Sequence, residues 1–384
     1  MKNIVVLGCT GSIGDTTFKV LEGLQGEYRV VGLSGGRRID KLVQRAREWQ
    51  AGYVCVGEEE GLAEVQRALP GVTVLAGEQG LVELAGLGEA DLVLNGLVGG
   101  VGLPPTLAGV EAGKVVAMAN KEPLVMAGGW ILERARACGG AILPLDSEPS
   151  ALWQCLRGES TRHLRRLILT ASGGPFRGQT RTQLRQVTPA QALNHPTWKM
   201  GPKITVDSAT LMNKGFEVIE AGWLFEVGIE QIEVVIHQES VVHSIAEFID
   251  GSMLAHLGRT DMALPIQYAL TYPERRPSPL APLDLVELGR LSFARPDREN
   301  FPCLELGYQA GRTGGTAPAV LSAANEEAVA GFLRGEIGFL EIAAINQQVL
   351  EACQPVPVDS LKAVIEADHW ARCWDREWMK KRSR

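Results

Sequence analysis

Two carboxylates, Asp146 and Glu148, lie at the end of an apolar segment with Ser147 between them. If that segment is a strand, side chains at this spacing point to the same side of it. Adjacent carboxylates repel each other, so a divalent cation bound by both is one reason for such a pair, and hard cations prefer carboxylate oxygens. The other interpretation, equally open at this point, is that the pair caps a helix that begins there.

A second group of polar side chains lies further along the chain. Ser208, Asn213 and Lys214 can donate hydrogen bonds to a phosphate near the start of a helix. Glu217 follows Lys214 by one helical turn and shares its face. Ser172, in a glycine-rich stretch after a predicted strand, offers another hydroxyl donor. The alternative is an amphipathic helix whose N-terminal end is simply polar.

A glycine-rich loop, Gly8-Cys9-Thr10-Gly11-Ser12-Ile13-Gly14, lies between the first predicted strand and the first predicted helix. Glycines at such a point permit a tight turn and let backbone N–H groups approach a pyrophosphate. The spacing is G-x-x-G-x-x-G. A plain strand–helix turn is the alternative, but the position near the N-terminus favours a dinucleotide site.

The end of the second predicted strand indicates which dinucleotide binds. NAD enzymes usually carry an acid there for the ribose 2′-hydroxyl, whereas this chain continues into Gly35-Gly36-Arg37-Arg38. Two guanidinium groups can hold a 2′-phosphate through charge-assisted hydrogen bonds. The pattern predicts NADPH, with a solvated pair of loop arginines as the alternative.

The elements that position these groups follow from the apolar pattern. The first 145 residues alternate short apolar strands with helical segments, which predicts a doubly wound, Rossmann-like α/β domain. The predicted strands of this part are Asn3–Leu7, Tyr28–Leu33, Tyr53–Val56, Val72–Leu75, Asp91–Asn95, Val115–Ala119 and Ala141–Leu145. Among the helical segments between them are Ile39–Trp49 and Pro123–Cys138.

The pattern changes after Asp146 to a second α/β unit with a partly open sheet. Its predicted strands are Arg165–Thr170, Ile232–His237, Ser244–Asp250 and Met253–Leu257, the last two joined by a hairpin-like turn, and Ser208–Phe225 reads as one helix. A proline-rich linker precedes a C-terminal helical bundle with helices at Glu299–Gly311, Ala317–Arg334, Phe339–Cys353 and Asp359–Met379. The predicted domains are 1–146 for the dinucleotide, 147–271 for catalysis, 272–298 as the linker, and 299–384.

Composition narrows the function classes. The 384 residues carry a net charge of -7 with 22% charged residues, a balance that argues against nucleic-acid binding. Seven dispersed cysteines favour a reduced, cytoplasmic protein, and we expect neither a signal peptide nor a membrane span. The spacing of His237, His243 and His256 does not match a zinc motif, which favours packing or dimer contacts.

Several segments together resemble one enzyme family. They are the glycine loop, Ala119-Asn120-Lys121-Glu122, Leu145-Asp146-Ser147-Glu148, Ala171-Ser172-Gly173-Gly174-Pro175-Phe176, and the polar block from His195 to Glu217. In this order and at these spacings they resemble the 1-deoxy-D-xylulose 5-phosphate reductoisomerase family over nearly the whole chain. The combination is far more specific than any one of the segments.

The resemblance implies a role for each motif. The implied metal ligands, for magnesium or manganese with cobalt as a further candidate, are Asp146, Glu148 and Glu217. The implied contacts to the substrate are Lys121, Ser147, Ser172, His195, Ser208, Asn213 and Lys214. The implied NADPH contacts are Thr10, Gly11, Ser12, Ile13, Gly36, Arg37, Arg38, Asn120, Glu122 and Gly201. A mobile flap at about 194–203 carries Trp198, and a homodimer is implied.

The implied reaction turns 1-deoxy-D-xylulose 5-phosphate into 2-C-methyl-D-erythritol 4-phosphate, in the non-mevalonate route to isoprenoid precursors. The carbon skeleton rearranges by retro-aldol and aldol steps or by an α-ketol shift, and NADPH reduces the resulting aldehyde. The rivals are an NADP-linked dehydrogenase, which needs no set of three metal carboxylates, and a non-enzymatic NADPH sensor, which needs no phosphate donors.

Four residues depart from the family pattern. Pro149 stands where a histidine commonly follows the Asp-Ser-Glu triplet, Pro123 replaces a serine, Pro202 replaces a basic residue, and Cys9 replaces serine or alanine. None of these departures removes an implied metal ligand.

Overall fold

The computed structural model describes residues 1–278 and 280–382, without the side chains of residues 381 and 382. Pro279 of the predicted linker and the last two residues of the predicted C-terminal domain lie outside this range. The described chain divides into two compact units. The first comprises Met1–Pro123, Gly129–Ser150 and Asp261–Ala281, and the second comprises Leu124–Gly128, Ala151–Thr260 and Pro282–Arg384. The four domains predicted above stay a prediction.

The strands agree with the pattern of apolar residues. All eleven predicted strands are present, with ends that differ by at most two residues. They are β1 (Lys2–Leu7), β2 (Tyr28–Gly35), β3 (Tyr53–Val56), β4 (Thr73–Ala76), β5 (Leu92–Asn95), β6 (Val115–Met118), β7 (Ala141–Pro144), β8 (Leu164–Ala171), β9 (Ile232–Ile236), β10 (Val242–Phe248) and β11 (Met253–Leu257).

The helices follow the strands in the first unit and dominate the second. In chain order they are α1 (Ser12–Gly23), α2 (Ile39–Glu48), α3 (Leu62–Ala68), α4 (Gly77–Ala85), α5 (Leu103–Glu111), α6 (Glu122–Cys138), α7 (Ser147–Cys155), α8 (Arg181–Leu184), α9 (Pro189–Ala192), α10 (Pro202–Thr210), α11 (Met212–Phe225), α12 (Ala263–Thr271), α13 (Leu285–Leu288), α14 (Cys303–Thr313), α15 (Ala317–Leu333), α16 (Phe339–Ala352) and α17 (Leu361–Arg382). No helix in the described range has both the length and the apolar composition to cross a bilayer.

The first unit is built on a parallel sheet of seven strands in the order β4-β3-β2-β1-β5-β6-β7. The four residues Ile4–Leu7 of β1 are fully buried, as expected for a strand covered on both faces. The strand order reverses between β1 and β5, and ligands of doubly wound sheets bind at such a reversal. The predicted Rossmann-like fold is confirmed.

The second unit contains a mixed sheet of four strands in the order β11-β10-β8-β9. β8 pairs parallel to β9 and antiparallel to β10, and β10 and β11 form the predicted hairpin. Leu167 of β8, Val218 of α11 and Phe332 of α15 belong to one continuous apolar core. The sheet and the C-terminal helices therefore stabilise each other and position α10 and α11, which carry the polar cluster.

Candidate active site

The glycine loop joins β1 to α1 in the first unit. Gly8 has a φ of +78°, and a Cβ there would lie 2.6 Å from the carbonyl oxygen of Gly96, so only glycine fits. A Cβ at Gly14 would lie 2.4 Å from the carbonyl oxygen of Cys9, which brings the first turn of α1 close to the loop. Ser12 and Ile13 open α1, where backbone N–H groups and the positive end of the helix dipole favour a phosphate.

The arginine pair follows β2 and precedes α2. The Arg37 side chain is 89% exposed and lies 3.2 Å from a carboxylate oxygen of Glu58. An exposed pair of this kind stabilises a protein by about 0–1 kcal/mol, so Arg37 can exchange Glu58 for a phosphate at little cost. Arg38 stands at the N-cap of α2, directly after Arg37. The alternative of a solvated loop pair is compatible with the same exposure.

Asn120 and Glu122 lie between β6 and the first turn of α6. Asn120 is buried, and its Nδ2 donates to Glu122 Oε2 at 2.6 Å and to the Gly99 carbonyl oxygen at 3.2 Å. A Cβ at Gly102 would lie 1.6 Å from Asn120 Oδ1. The side chain of Asn120 is therefore fixed by contacts on several sides and can present a constant surface to a ligand.

The expectation that Asp146 and Glu148 share a strand direction is wrong. β7 ends at Pro144 and α7 begins at Ser147, so Glu148 lies in the first turn of a helix. Asp146 immediately precedes that helix. Its Oδ1 accepts from the Ser147 backbone N–H at 3.0 Å, and its Oδ2 lies 2.5 Å from Lys121 Nζ. Both acids therefore lie at the N-terminal end of α7. This position is compatible with metal binding as well as with helix capping.

The predicted single helix from Ser208 to Phe225 is also wrong. Leu211 adopts a left-handed conformation with φ 62° and divides the segment into α10 and α11. A non-glycine residue there costs about 1–2 kcal/mol, so tertiary packing must impose the break. The break creates a second helix N-terminus, with Asn213 and Lys214 in its first turn and Ser208 near the end of α10. A continuous helix would not supply this anion-binding end.

Glu217 is fully buried in α11, one turn after these donors. Its Oε1 accepts from Asn213 Nδ2 at 2.6 Å, and its Oε2 pairs with Lys214 Nζ. A buried carboxylate needs such partners, because burial without them is costly. α11 packs against α14 with almost no space, since a Cβ at Gly307 would lie 2.4 Å from the Cα of Gly215.

His195 connects the polar groups of the second unit. Its Nε2 lies 3.0 Å from Ser172 Oγ and 3.1 Å from Ser208 Oγ. Its Nδ1 accepts from the backbone N–H groups of Thr197 at 3.2 Å and Trp198 at 2.9 Å. This assigns the proton to Nε2, where it can be donated. Burial lowers the pKa of His195, which keeps the ring neutral at neutral pH.

The glycine-rich loop after β8 brings Ser172 to this cluster. Gly174 has a φ of +67°, and a Cβ there would lie 2.9 Å from the carbonyl oxygen of Ser208 and 3.0 Å from the Cα of Ala209. Only a glycine lets the loop lie directly on the C-terminal end of α10. The backbone N–H of Gly174 also donates to Ser172 Oγ at 3.2 Å.

The predicted flap has no regular structure before α10 begins at Pro202. Within it, the Trp198 ring lies 6.4 Å from the ring of His243, centroid to centroid. Gly201 is the N-cap of α10, and its carbonyl oxygen accepts from Thr205 Oγ1 at 2.8 Å. The mobility of this segment stays a prediction.

Comparisons with known proteins give the same family for successive parts of the chain. Residues 4–128 match the family model of 1-deoxy-D-xylulose 5-phosphate reductoisomerase, 142–225 match its C-terminal domain, and 257–374 match the DXP reductoisomerase C-terminal domain. The 1-deoxy-D-xylulose 5-phosphate reductoisomerase of Heliobacterium modesticaldum is 50% identical over 377 residues, which cover 97% of this chain and 96% of that one. That of Exiguobacterium sibiricum is 49% identical over 376 residues, covering 97% and 98%.

The chain belongs to the 1-deoxy-D-xylulose 5-phosphate reductoisomerase family.

Solved structures of this family have the same fold. A DOX-P reductoisomerase in complex with NADPH, fosmidomycin and magnesium matches with a TM-score of 0.95 at 39% identity, over 99% of this chain and 98% of that one. The reductoisomerase of Zymomonas mobilis in complex with NADPH matches with a TM-score of 0.91 at 40% identity, over 98% and 99%. The resemblance noted from the motifs is confirmed.

The departures from the reductoisomerase pattern have a common structural setting. Pro123, Pro149 and Pro202 each lie in the first turn of a helix, in α6, α7 and α10 respectively. The first turn tolerates proline because its N–H groups have no partner within the helix. Cys9 is fully buried within the glycine loop, and burial raises the pKa of its thiol to about 12, so it stays neutral.

One residue beside the cluster was assigned to packing or dimer contacts on sequence grounds. His243 lies in β10, buried against Trp198, and burial lowers the pKa of its ring to about 4. Its position in a strand gave no sign of this neighbour, which belongs to a distant flap. In the described residues, His237, His243 and His256 do not form a group that could ligate a metal. His237 instead stacks on Phe293 at 4.8 Å.

Proposed function

We propose that this chain is an NADPH-dependent reductoisomerase that converts 1-deoxy-D-xylulose 5-phosphate into 2-C-methyl-D-erythritol 4-phosphate with a divalent metal, in the supply of isoprenoid precursors. The observation that carries the proposal is the full-length match to a relative in complex with NADPH, fosmidomycin and magnesium. The local chemistry of this chain supports each part of it.

The metal ligands are Asp146, Glu148 and Glu217. All three supply carboxylate oxygens, the hard donors that magnesium and manganese prefer, so the donor set fits the ion. Bound there, the ion would polarise the substrate carbonyl and acidify the neighbouring hydroxyl. Lys121 offsets the charge of Asp146 and, together with Ser147, donates hydrogen bonds to the hydroxyl oxygens of the substrate.

The phosphate of the substrate binds at the start of α11. Ser172 Oγ and Ser208 Oγ each lie within hydrogen-bond distance of His195 Nε2, and all three groups can turn toward an anion. Asn213 and Lys214 add an amide and an ammonium group in the first helical turn. A dianion there gains charge-assisted hydrogen bonds as well as the helix dipole.

The glycine loop would hold NADPH, which would supply the hydride that reduces the rearranged aldehyde. Thr10, Gly11, Ser12 and Ile13 at the start of α1 would hold its pyrophosphate, and Gly36, Arg37 and Arg38 would hold its 2′-phosphate. Asn120, Glu122 and Gly201 would add further contacts to the cofactor. The neutral hydroxyls and backbone amides of the loop suit an anionic cofactor.

The flap at about 194–203 couples substrate binding to the exclusion of water. Two flap backbone N–H groups donate to Nδ1 of His195, while Nε2 of the same ring faces the phosphate donors. A phosphate held by Nε2–H therefore also fixes the backbone of Thr197 and Trp198. Closure of the Trp198 side chain over the substrate removes water from the reacting atoms.

The protein acts as a cytoplasmic homodimer in this proposal. All seven cysteines are free thiols, which suits a reducing compartment. β11 is an edge strand of the second sheet and exposes Met253, Leu254 and Leu257 by 52%, 42% and 37%. An exposed apolar edge of this kind is a template for pairing with another chain. Leu254→Lys should shift light scattering toward the monomer mass, and an unchanged mass would exclude this edge.

The decisive experiment is turnover of 1-deoxy-D-xylulose 5-phosphate by the purified chain with NADPH and magnesium. NADPH consumption is followed by absorbance, and the product is identified by mass spectrometry and NMR. A simple NADP-linked dehydrogenase would reduce other carbonyl compounds and ignore this one. A sensor would bind NADPH without consuming it. Either result would overturn the proposal.

A further inference from the structure

Next to the proposed phosphate site, α10 carries a buried charge that the mechanism does not use. Asp207 directly precedes Ser208, and its residue is only 2% exposed. Its Oδ2 lies 2.9 Å from Lys203 Nζ, one turn earlier in α10. Its Oδ1 accepts from Asn325 Nδ2 of α15 at 2.6 Å. Asn325 Oδ1 in turn accepts from Asn346 Nδ2 of α16 at 3.0 Å, and both asparagines are fully buried.

Burial of this chain of amides, which ends on Asp207, costs free energy in a helical core. Burial of a charge is favourable only with full compensation, and apolar residues of similar size usually stabilise a core at least as well. The thiol of Cys303 also contacts this group, and burial raises its pKa to about 12, so it contributes no charge. Packing alone therefore gives little reason for one carboxylate, one ammonium and two amides at this place.

The position of the chain of amides indicates a structural role for it in fixing α10. α10 has nine residues and ends at the left-handed Leu211, so its own hydrogen bonds do little to fix its rotation. Successive residues of a helix differ by about 100° around its axis. A rotation of α10 that moved Asp207 off Asn325 would therefore swing Ser208 Oγ away from His195 Nε2, from which it is separated by 3.1 Å.

We infer that Asn325 and Asn346 are positioning residues for the substrate phosphate: through Asp207 they fix the rotation of α10 and hold Ser208 in its phosphate-binding orientation. The bonds from Lys203 and Asn325 also direct the carboxylate into the helices and offset its repulsion of a dianion. This inference rests on the proposed function, because it takes the Ser208 cluster as the site of the substrate phosphate. It gives the C-terminal helices a part in substrate recognition.

Three variants separate positioning from packing. Asn325→Leu keeps the branched shape and the number of side-chain heavy atoms, and it removes both hydrogen bonds. Asn325→Asp places two carboxyl groups 2.6 Å apart, where they must share a proton. The exchange Asp207→Asn with Asn325→Asp restores one carboxylate and one amide with donor and acceptor reversed. Ser322→Ala is the matched control, because Ser322 is a fully buried polar residue of α15 one turn before Asn325.

The readouts are KM and kcat for the sugar phosphate, the affinity for inorganic phosphate by calorimetry, NADPH affinity, and the thermal midpoint. Asn325→Leu should weaken both substrate and inorganic phosphate by about tenfold or more, the loss expected for a bond to a charged group, with NADPH affinity unchanged. Asn325→Asp should bind phosphate progressively more weakly as pH rises, because the shared proton is lost and the carboxylates repel. The exchange should remove that pH dependence, and Ser322→Ala should match the wild type.

Two results would overturn the inference. One is an Asn325→Leu protein whose phosphate affinity and KM stay within about twofold of the wild type while only its thermal midpoint falls. The other, which applies even if that variant does not fold, is a phosphate affinity of Asn325→Asp with the same pH dependence as the wild type. Failure of the proposed function would give a different result, because the wild type would then not turn over the sugar phosphate. In that case the affinity for inorganic phosphate would still test the role of Asn325.

Discussion

The crossing of α11 and α14 offers a sharp test of how closely the site depends on helix packing. In Gly307→Ala the new Cβ would lie 2.4 Å from the Cα of Gly215 and 2.7 Å from its carbonyl carbon and oxygen. Carbon atoms in contact sit about 3.5–4.0 Å apart, so the two backbones must separate by about 1 Å or more. No side chain can rotate to relieve the clash, because all three atoms belong to the backbone.

The expected size of the effect follows from two opposing terms. Overpacking of this kind costs about 1–3 kcal/mol, and alanine in place of glycine inside a helix returns about 1 kcal/mol through helix propensity. Gly311→Ala is the control, because it lies in the same helix but its nearest contacts would be side-chain atoms, Ile229 Cδ1 at 3.0 Å and Ile219 Cγ1 at 3.3 Å. Gly307→Ala should therefore unfold with about 1–3 kcal/mol less free energy than Gly311→Ala.

The functional loss should exceed the loss of stability. Gly215 adjoins Lys214 and lies two residues before Glu217, so a shift of α11 by about 1 Å would displace a proposed phosphate ligand and a proposed metal ligand. A misplacement of that size costs about a hundredfold in rate. The assay compares kcat/KM for the sugar phosphate with the free energy of unfolding in urea, with NADPH affinity as a check. Equal kcat/KM in the two alanine variants would refute the reasoning.

Four further predictions test the proposed roles. Glu217→Gln should abolish most metal-dependent turnover and leave NADPH affinity unchanged; full activity of the wild type in excess chelator would contradict this. Replacing Arg37 and Arg38 by alanine should reduce the preference for NADPH over NADH by at most about 1.5–3 kcal/mol for each guanidinium, measured as the ratio of kcat/KM values. The pKa of His195 is lowered from its ordinary value of about 6.5, so the ring is neutral above that pH and contributes fully to substrate turnover. That contribution is lost as the pH falls through the lowered pKa. The kcat/KM should therefore decline in acid, and the decline should be smaller in His195→Gln; an equal decline in both proteins would contradict this role of His195. A substrate without the phosphate should lose kcat as well as affinity, and Trp198→Ala should impair closure with metal affinity intact; an unchanged kcat would make the phosphate a uniform anchor.

Sequence patterns were sufficient for the parts of the fold that local forces determine. Buried parallel strands need uninterrupted apolar residues, so β1 and its neighbours could be located within two residues. The glycine loop could be predicted equally well from the sequence. The close approach of Gly8 to Gly96 excludes every other residue, so the conformation of the loop requires the glycine. These signals depend on short stretches of chain and are visible without knowledge of the tertiary structure.

The features that were missed depend on distant contacts. Leu211 has a side chain with good helix propensity, and nothing in its neighbourhood indicates the left-handed conformation that packing imposes. The strand before Asp146 ends early for a similar reason, since the capping bonds that begin α7 are known only from the structure. Asn325 lies 118 residues from Asp207, so its role could be found only once the two were seen together.

The three prolines that depart from the family pattern bear on the state of the site before any ligand arrives. Pro123, Pro149 and Pro202 restrict the backbone where α6, α7 and α10 begin, beside Lys121, Asp146 and the flap. A proline that fits its native conformation stabilises a protein by about 0.4–1 kcal/mol per site, because it lowers the conformational entropy of the unfolded chain. Less ordering then remains for substrate and metal to bring about on binding, so more of their intrinsic affinity is retained. The same stiffness narrows the range of shapes that the ligand-free site can sample, which should make this enzyme less tolerant of bulkier sugar phosphates than a relative with serine, histidine and a basic residue at these three positions.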